Sequence, residues 1–99
     1  MNEFQEREIV KGYWLYDGLL KEGVIIKAIA YDYWYELEKS DGLDMADEQP
    51  ELNAMGEMYM IEWTDHMHKI RESFTVGTLD LDSTKAVAEV VVNQRIDWV

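Results

Sequence analysis

The sequence predicts an α+β fold: an antiparallel sheet of about four strands, made of two hairpins, with a C-terminal helix packed on one face. Three observations carry this expectation. Tyr, Trp, Val and Ile crowd residues 9–35 around glycine-containing turn candidates, as suits a pleated surface. Tyr59, Ile61 and Trp63 alternate with Met58, Met60 and Glu62, the period of a strand. Residues 84–92 form an apolar run preceded by the capping candidates Asp82 and Ser83.

Taken in order, residues 9–35 read as one long hairpin. The polar residues Lys27, Asp32, Glu36 and Glu38 fall at scattered angles around a helical period, so no helical stripe forms over 24–38. Asp17-Gly18 and Lys21-Glu22-Gly23 are both turn candidates. The second places Gly23 where positive φ is needed and sets Leu20 opposite Val24, Tyr16 opposite Ala28 and Asp17 opposite Lys27. That register puts Tyr13, Tyr31, Tyr33 and Tyr35 on one face. Val10, Trp14, Tyr16, Leu20, Val24, Ile26 and Trp34 fall on the other.

Residues at about 39–56 read as an acidic loop, with Ser40-Asp41-Gly42, the lone Pro50 and Gly56. The second hairpin is expected over 57–76, turning near Thr64-Asp65-His66-Met67, with Ile61 opposite Ile70 and Glu62 opposite Lys69. A helical reading competes, because Leu52, Met55, Tyr59, Trp63, Met67 and Ile70 recur every three or four residues. Against it, Gly56 falls inside that helix and Met58, Met60 and Ile61 fall off its stripe. The helix at 84–92 presents Val87, Val90 and Val91, and the tail Ile96-Asp97-Trp98-Val99 is apolar enough to dock on the body.

The 99 residues fit one domain, 1–99, and 47% apolar with 12% aromatic content excludes a disordered chain. There is no cysteine, hence no disulfide and no thiolate metal site. No 18-residue apolar run occurs, and Met1 to Glu6 is polar and acidic, unlike a secretory leader. The expectation is a cytoplasmic protein away from membranes. The net charge is −12, of which residues 41–65 supply eight acids and no Lys or Arg. Such a field repels nucleic acid and attracts a basic protein, although an acidic loop also serves solubility alone.

Candidate chemistry is sparse. His66, His68 and Glu62 approximate a metal site only if they share a strand face, and no further ligand is fixed. Asp41, Asp44 and Asp47 recur every third residue, but Gly42 and Leu43 break the calcium-loop pattern. Ser40, Ser73 and Ser83 sit in no nucleophile motif, and the six glycines are isolated. Neither a cofactor nor catalysis is expected.

The function expected is therefore a non-catalytic protein-interaction module, most simply a homodimer. Its partner surfaces would be Tyr13, Tyr31, Tyr33 and Tyr35 on the sheet and Asp41, Asp44, Asp47, Glu48 and Glu51 in the loop. Two alternatives stand beside it. One is an acidic mimic of nucleic acid that inhibits a basic protein. The other is a small-molecule binder or enzyme with an aromatic pocket of Trp14, Trp34 and Trp63.

Overall fold

The computed structural model describes residues 6–42 and 48–99. In chain order the elements are β1 (Glu6–Tyr16), β2 (Leu20–Ile29), α1 (Tyr33–Ser40), β3 (Met58–Thr64), β4 (Arg71–Val76), α2 (Leu81–Val92) and β5 (Asp97–Trp98). The strands form one antiparallel sheet in the order β4-β3-β2-β1-β5. The α+β class, both hairpins and the C-terminal helix are as the sequence predicts; the docked tail supplies the fifth strand.

The first hairpin turns at the other candidate. Asp17 and Gly18 take left-handed φ values of 55° and 68°, Leu19 N–H donates to the Tyr16 carbonyl at 3.0 Å, and Tyr16 pairs with Leu20. Two successive residues at positive φ suit the twist of a tight hairpin, and Asp-Gly supplies them at low cost. Glu8 rather than Asp17 then lies opposite Lys27. Gly23 is needed inside β2 for a different reason: a Cβ there would sit 2.5 Å from Thr64 Oγ1 and 2.7 Å from His68 Cδ2.

The hairpin also ends sooner than expected. Ala30 and Tyr31 leave the sheet, and residues 33–40 are helical rather than extended. Asp32 decides this, its carboxylate accepting from the Trp34 and Tyr35 N–H groups at 3.1 and 3.2 Å. Glu36 in the first turn and Lys39 in the last complement the helix dipole. The continuous tyrosine face therefore does not form: of its four residues only Tyr13 lies in a strand.

In the second hairpin Ile61 pairs with Thr75 and Glu62 with Phe74, so the expected register with Ile70 and Lys69 is not the one adopted. Asp65 explains the longer loop. Its carboxylate accepts from Lys69 and Ile70 N–H at 2.7 and 3.1 Å, and its carbonyl accepts from His68 N–H at 3.0 Å. Helix α2 starts earlier than residue 84, capped by Asp80, whose side chain accepts from Ser83 N–H at 2.9 Å. It stops at Asn93, which takes a left-handed φ of 55°.

Helix α2 carries the chain from the β4 edge to the β1 edge across one face of the sheet. Beneath it Val24, Ile26, Ile61, Trp63 and Ile96 are buried against the helix's own Ala88, with Val10, Trp14, Tyr59, Val87 and Trp98 packed around them. Beyond the helix, the Gln94 side-chain amide exchanges two 2.9 Å hydrogen bonds with the backbone of Leu15, doing a strand's work at the sheet edge. β5 then pairs at Gly12 and Tyr13.

The opposite face is closed differently. At one end Ile29, Met58 and Met60 are buried with Tyr31, Tyr33, Leu52 and Val76. In the middle Glu62 is only 6% exposed, its two oxygens meeting Lys27 Nζ at 3.2 Å and Arg71 Nη1 at 3.3 Å, while Glu6 lies 3.4 Å from Lys27. Burial opposes the Lys27 ammonium, but the hydrogen bond and charge of Glu62, helped by Glu6, outweigh it and raise its pKa. At the other end the β3–β4 loop folds back so that His68 Nε2–H donates to the Gly12 carbonyl at 2.8 Å.

Glu62→Gln is expected to destabilise the protein by about 1–3 kcal/mol, because Lys27 loses the buried one of its two carboxylate partners among the described residues and keeps only Glu6, while the more exposed Arg71 is rescued by water. Combining Glu62→Leu with Lys27→Met should cost less than the two single changes together, read from urea denaturation. Asp65 is held below its usual value of 3.8 by the N–H groups of Lys69 and Ile70. A lowered folded-state pKa contributes stability above the unfolded value and loses it as the pH falls through the folded one. Asp65→Asn should therefore be less stable than the parent at neutral pH, with the gap narrowing below pH 3.8 in a series of melts.

Candidate functional site

Asp32 does more than start α1. Its second oxygen accepts from the Glu51 N–H at 2.8 Å, so one carboxylate holds both the helix and the acidic coil that follows. Asn53 fixes the other side of the coil. Its side-chain oxygen accepts from Met55 and Glu57 N–H at 2.9 and 3.1 Å, and its amide donates to the Leu79 carbonyl at 3.3 Å. Glu57 is anchored in turn by Arg7, at 2.7 and 2.9 Å, and this bond keeps its carboxyl below the usual range.

Between these anchors lies a cleft of about 400 Å³. Trp34, Tyr35 and Glu38 form the helix wall, Glu48, Gln49 and Glu51 the coil wall, and Met58 with residues 77–79 the floor. Among the described residues, Glu38, Glu48 and Glu51 make no ion pair, and neither Lys nor Arg lines the cleft. Lys39 stands 6.0 Å from the Tyr35 ring. Trp34 is 54% exposed, a large apolar ring left in water beside three carboxylates. Such a surface favours a cation that brings an apolar stem, since the ring face and the carboxylates attract the same charge.

The residues expected from the sequence divide into groups. Tyr35, Glu48 and Glu51 come together in this cleft. Asp41 caps the C-terminus of α1 through its N–H and does not line the cleft. Asp44 and Asp47 lie outside the described residues. Tyr13 is on the open sheet face, covered by the His68 ring at 4.7 Å and the Lys21 ammonium at 4.0 Å. Tyr33 packs against Phe74 at 5.7 Å and donates its N–H to Met58 Sδ at 3.4 Å. Tyr31 packs on the Met58–Met60 cluster, and burial raises its pKa. Tyr13, Tyr31 and Tyr33 are thus half-buried with contacts inside the chain, and they do not share the one continuous face expected from the sequence.

Asp32, Trp34 and Glu38 were not singled out as partner residues. The signal was present in Asp32, an N-cap residue type followed by Glu36 in a first turn, but the aromatic run read as strand. Of the three tryptophans expected in one pocket, Trp14 and Trp63 meet edge to face at 5.9 Å, whereas Trp34 lines the acidic cleft. Trp63 Nε1–H donates to Thr75 Oγ1 at 3.0 Å. The Trp14 indole N–H is buried with no protein acceptor. No cluster of three metal-ligating side chains occurs among the described residues, His66 being exposed and His68 Nε2 engaged with Gly12. No helix among them is long and apolar enough to cross a membrane.

Comparison with models of protein families, with curated proteins and with solved structures gave no match. Asp32→Ala should lower stability by about 0.5–2 kcal/mol through loss of the cap. It should also raise amide hydrogen exchange at both Tyr35 and Glu51, a joint effect that a cap serving α1 alone would not give.

Proposed function

We propose that this chain is a non-catalytic interaction module that binds a basic segment of a partner protein in the cleft between α1 and residues 48–51. The observation that carries the reading is the meeting of Trp34, Tyr35, Glu38, Glu48 and Glu51 around one cavity that, among the described residues, is lined by no Lys or Arg. Burying Lys or Arg stems on the two rings while their charged ends meet the carboxylates uses the site's apolar and charged parts at once. The charge of the whole chain, −12, adds long-range attraction for such a partner and repulsion for nucleic acid.

In this reading the cleft stands in place of the tyrosine face as the partner surface, and binding does not require a homodimer through that face. Two copies each carrying −12 also repel one another. Mimicry of nucleic acid has less support, because it needs carboxylates spaced along an extended surface, whereas here they line one concavity. We place the protein in the cytoplasm, where basic segments of other proteins are accessible to it.

A short Lys/Arg-rich peptide should bind the chain with an affinity that falls steeply with salt, as isothermal titration at several ionic strengths would show. Trp34→Ala and the pair Glu48→Gln and Glu51→Gln should each weaken it by about tenfold, the equivalent of about 1.4 kcal/mol. Affinity untouched by these changes, with the fold intact by circular dichroism, would count against the cleft.

A further inference from the structure

A second cavity, of about 570 Å³, opens between the β1–β2 hairpin, the start of β4 and the end of α2. We propose that it binds an alkylated ammonium ion, a nitrogen cation clothed in apolar substituents. This site is separate from the acidic cleft and does not depend on the reading given for it.

The walls specify the chemistry. Trp14, Tyr16 and Trp63 line the cavity and meet near right angles: Trp14 lies 5.9 Å from Trp63 at 79° and 6.1 Å from Tyr16 at 70°. Rings set as the walls of a corner, rather than stacked, put aromatic surface on more than one side of a guest, most of it from Tyr16 and Trp14 because Trp63 is only 7% exposed, and each ring face carries the negative part of its quadrupole. The hydrogen bond from Trp63 to Thr75 fixes the orientation of one wall before any guest arrives. Glu22 from β2 and Glu72 from β4 add two carboxylates that form no ion pair among the described residues, and neither Lys nor Arg lines the cavity.

The remaining contacts decide which cation fits. Leu20, Val91 and Val92 complete an apolar lining. A bare ammonium or guanidinium entering here gives up hydrogen bonds to water and recovers few, a cost that rises with burial. An alkylated nitrogen has few such bonds to lose, its methyl groups pack on the aliphatic walls, and its charge faces the rings and carboxylates. Contrast the α1 cleft, where carboxylates dominate and hydrated Lys or Arg ends are accommodated. Quaternary ammonium recognition by aromatic corners rests on this balance.

The cation has two possible sources, a free choline-like ion or a methylated lysine side chain. Calorimetric titration with choline should give saturable binding in the millimolar range or tighter, and its neutral isostere, carbon replacing nitrogen, should bind at least about tenfold more weakly. Glu22→Gln with Glu72→Gln should weaken choline binding several-fold, and Trp34→Ala should leave it unchanged. A trimethyllysine peptide bound more tightly than choline would identify a protein-borne cation, and equal or weaker binding a free one. The proposal is overturned if choline and its isostere bind equally, if the double variant binds choline as the parent does, or if neither cation binds. Matching urea melts for parent and variants would keep a folding defect from imitating either result.

Discussion

The structure depends on one asymmetry: a five-stranded sheet has two faces, and a single three-turn helix crosses one of them. Helix α2 seals Val24, Ile26 and Ile61 beneath Ala88, giving the sheet a dry side. The other side has to be closed by smaller devices, because α1 contributes no fully buried residue. A methionine and tyrosine cluster, the Glu62 ion ladder and the His68 loop each cover one stretch of it. The ladder is the costliest of these to disturb, since a carboxylate buried to this extent without its cations would have to be neutralised or hydrated.

That division of labour leaves the ends of the sheet free for function. The α1 cleft forms where the chain leaves β2 and returns at β3, its coil held by the Asp32 and Asn53 hydrogen bonds together with the packing of Leu52 on the methionine cluster. The aromatic corner forms at the opposite ends of the same strands, where the end of α2 leaves Tyr16 exposed and Trp14 half-buried beside the buried Trp63. Both cavities therefore hang on rigid strands, but their chemistry differs. One is rich in carboxylates and open to hydrated cations; the other has apolar walls and suits a cation that is already clothed.

Much of the fold was legible because side-chain alternation survives errors in register. The expected first hairpin turned at Lys21-Glu22-Gly23, yet it assigned Val10, Trp14, Tyr16, Val24 and Ile26 to one face, as observed. The true turn at Asp17-Gly18 shifts the pairing by an even count, which leaves faces unchanged. The choice between turns rested on matching side chains across the strands, whereas two residues at positive φ settle it. Helix α1 was hidden because Tyr33, Trp34 and Tyr35 carry strand propensity, and one cap outweighs propensity over a single turn. The loop set by Asp65 was hidden because its hydrogen bonds to Lys69 and Ile70 form only when the chain doubles back.

The candidate site was legible in part. Charge bias pointed to residues 41–65, and Glu48 and Glu51 do line the cleft. The helix wall could not be read without α1. The half-burial of Tyr13 and Tyr33 could not be read from the sequence, because the groups they pack against, His68 and Phe74, come from a hairpin distant in sequence.

The most direct test of the central claim, that α1 and the coil form a cleft for basic segments, is a nuclear magnetic resonance titration with a Lys/Arg-rich peptide. The account predicts saturable shifts at the Trp34 indole N–H and at the amides of Tyr35, Glu38, Glu48 and Glu51, with the Trp14 and Trp63 indoles unmoved. Shifts confined to the sheet face around Tyr13, or spread evenly over every acidic residue, would contradict it.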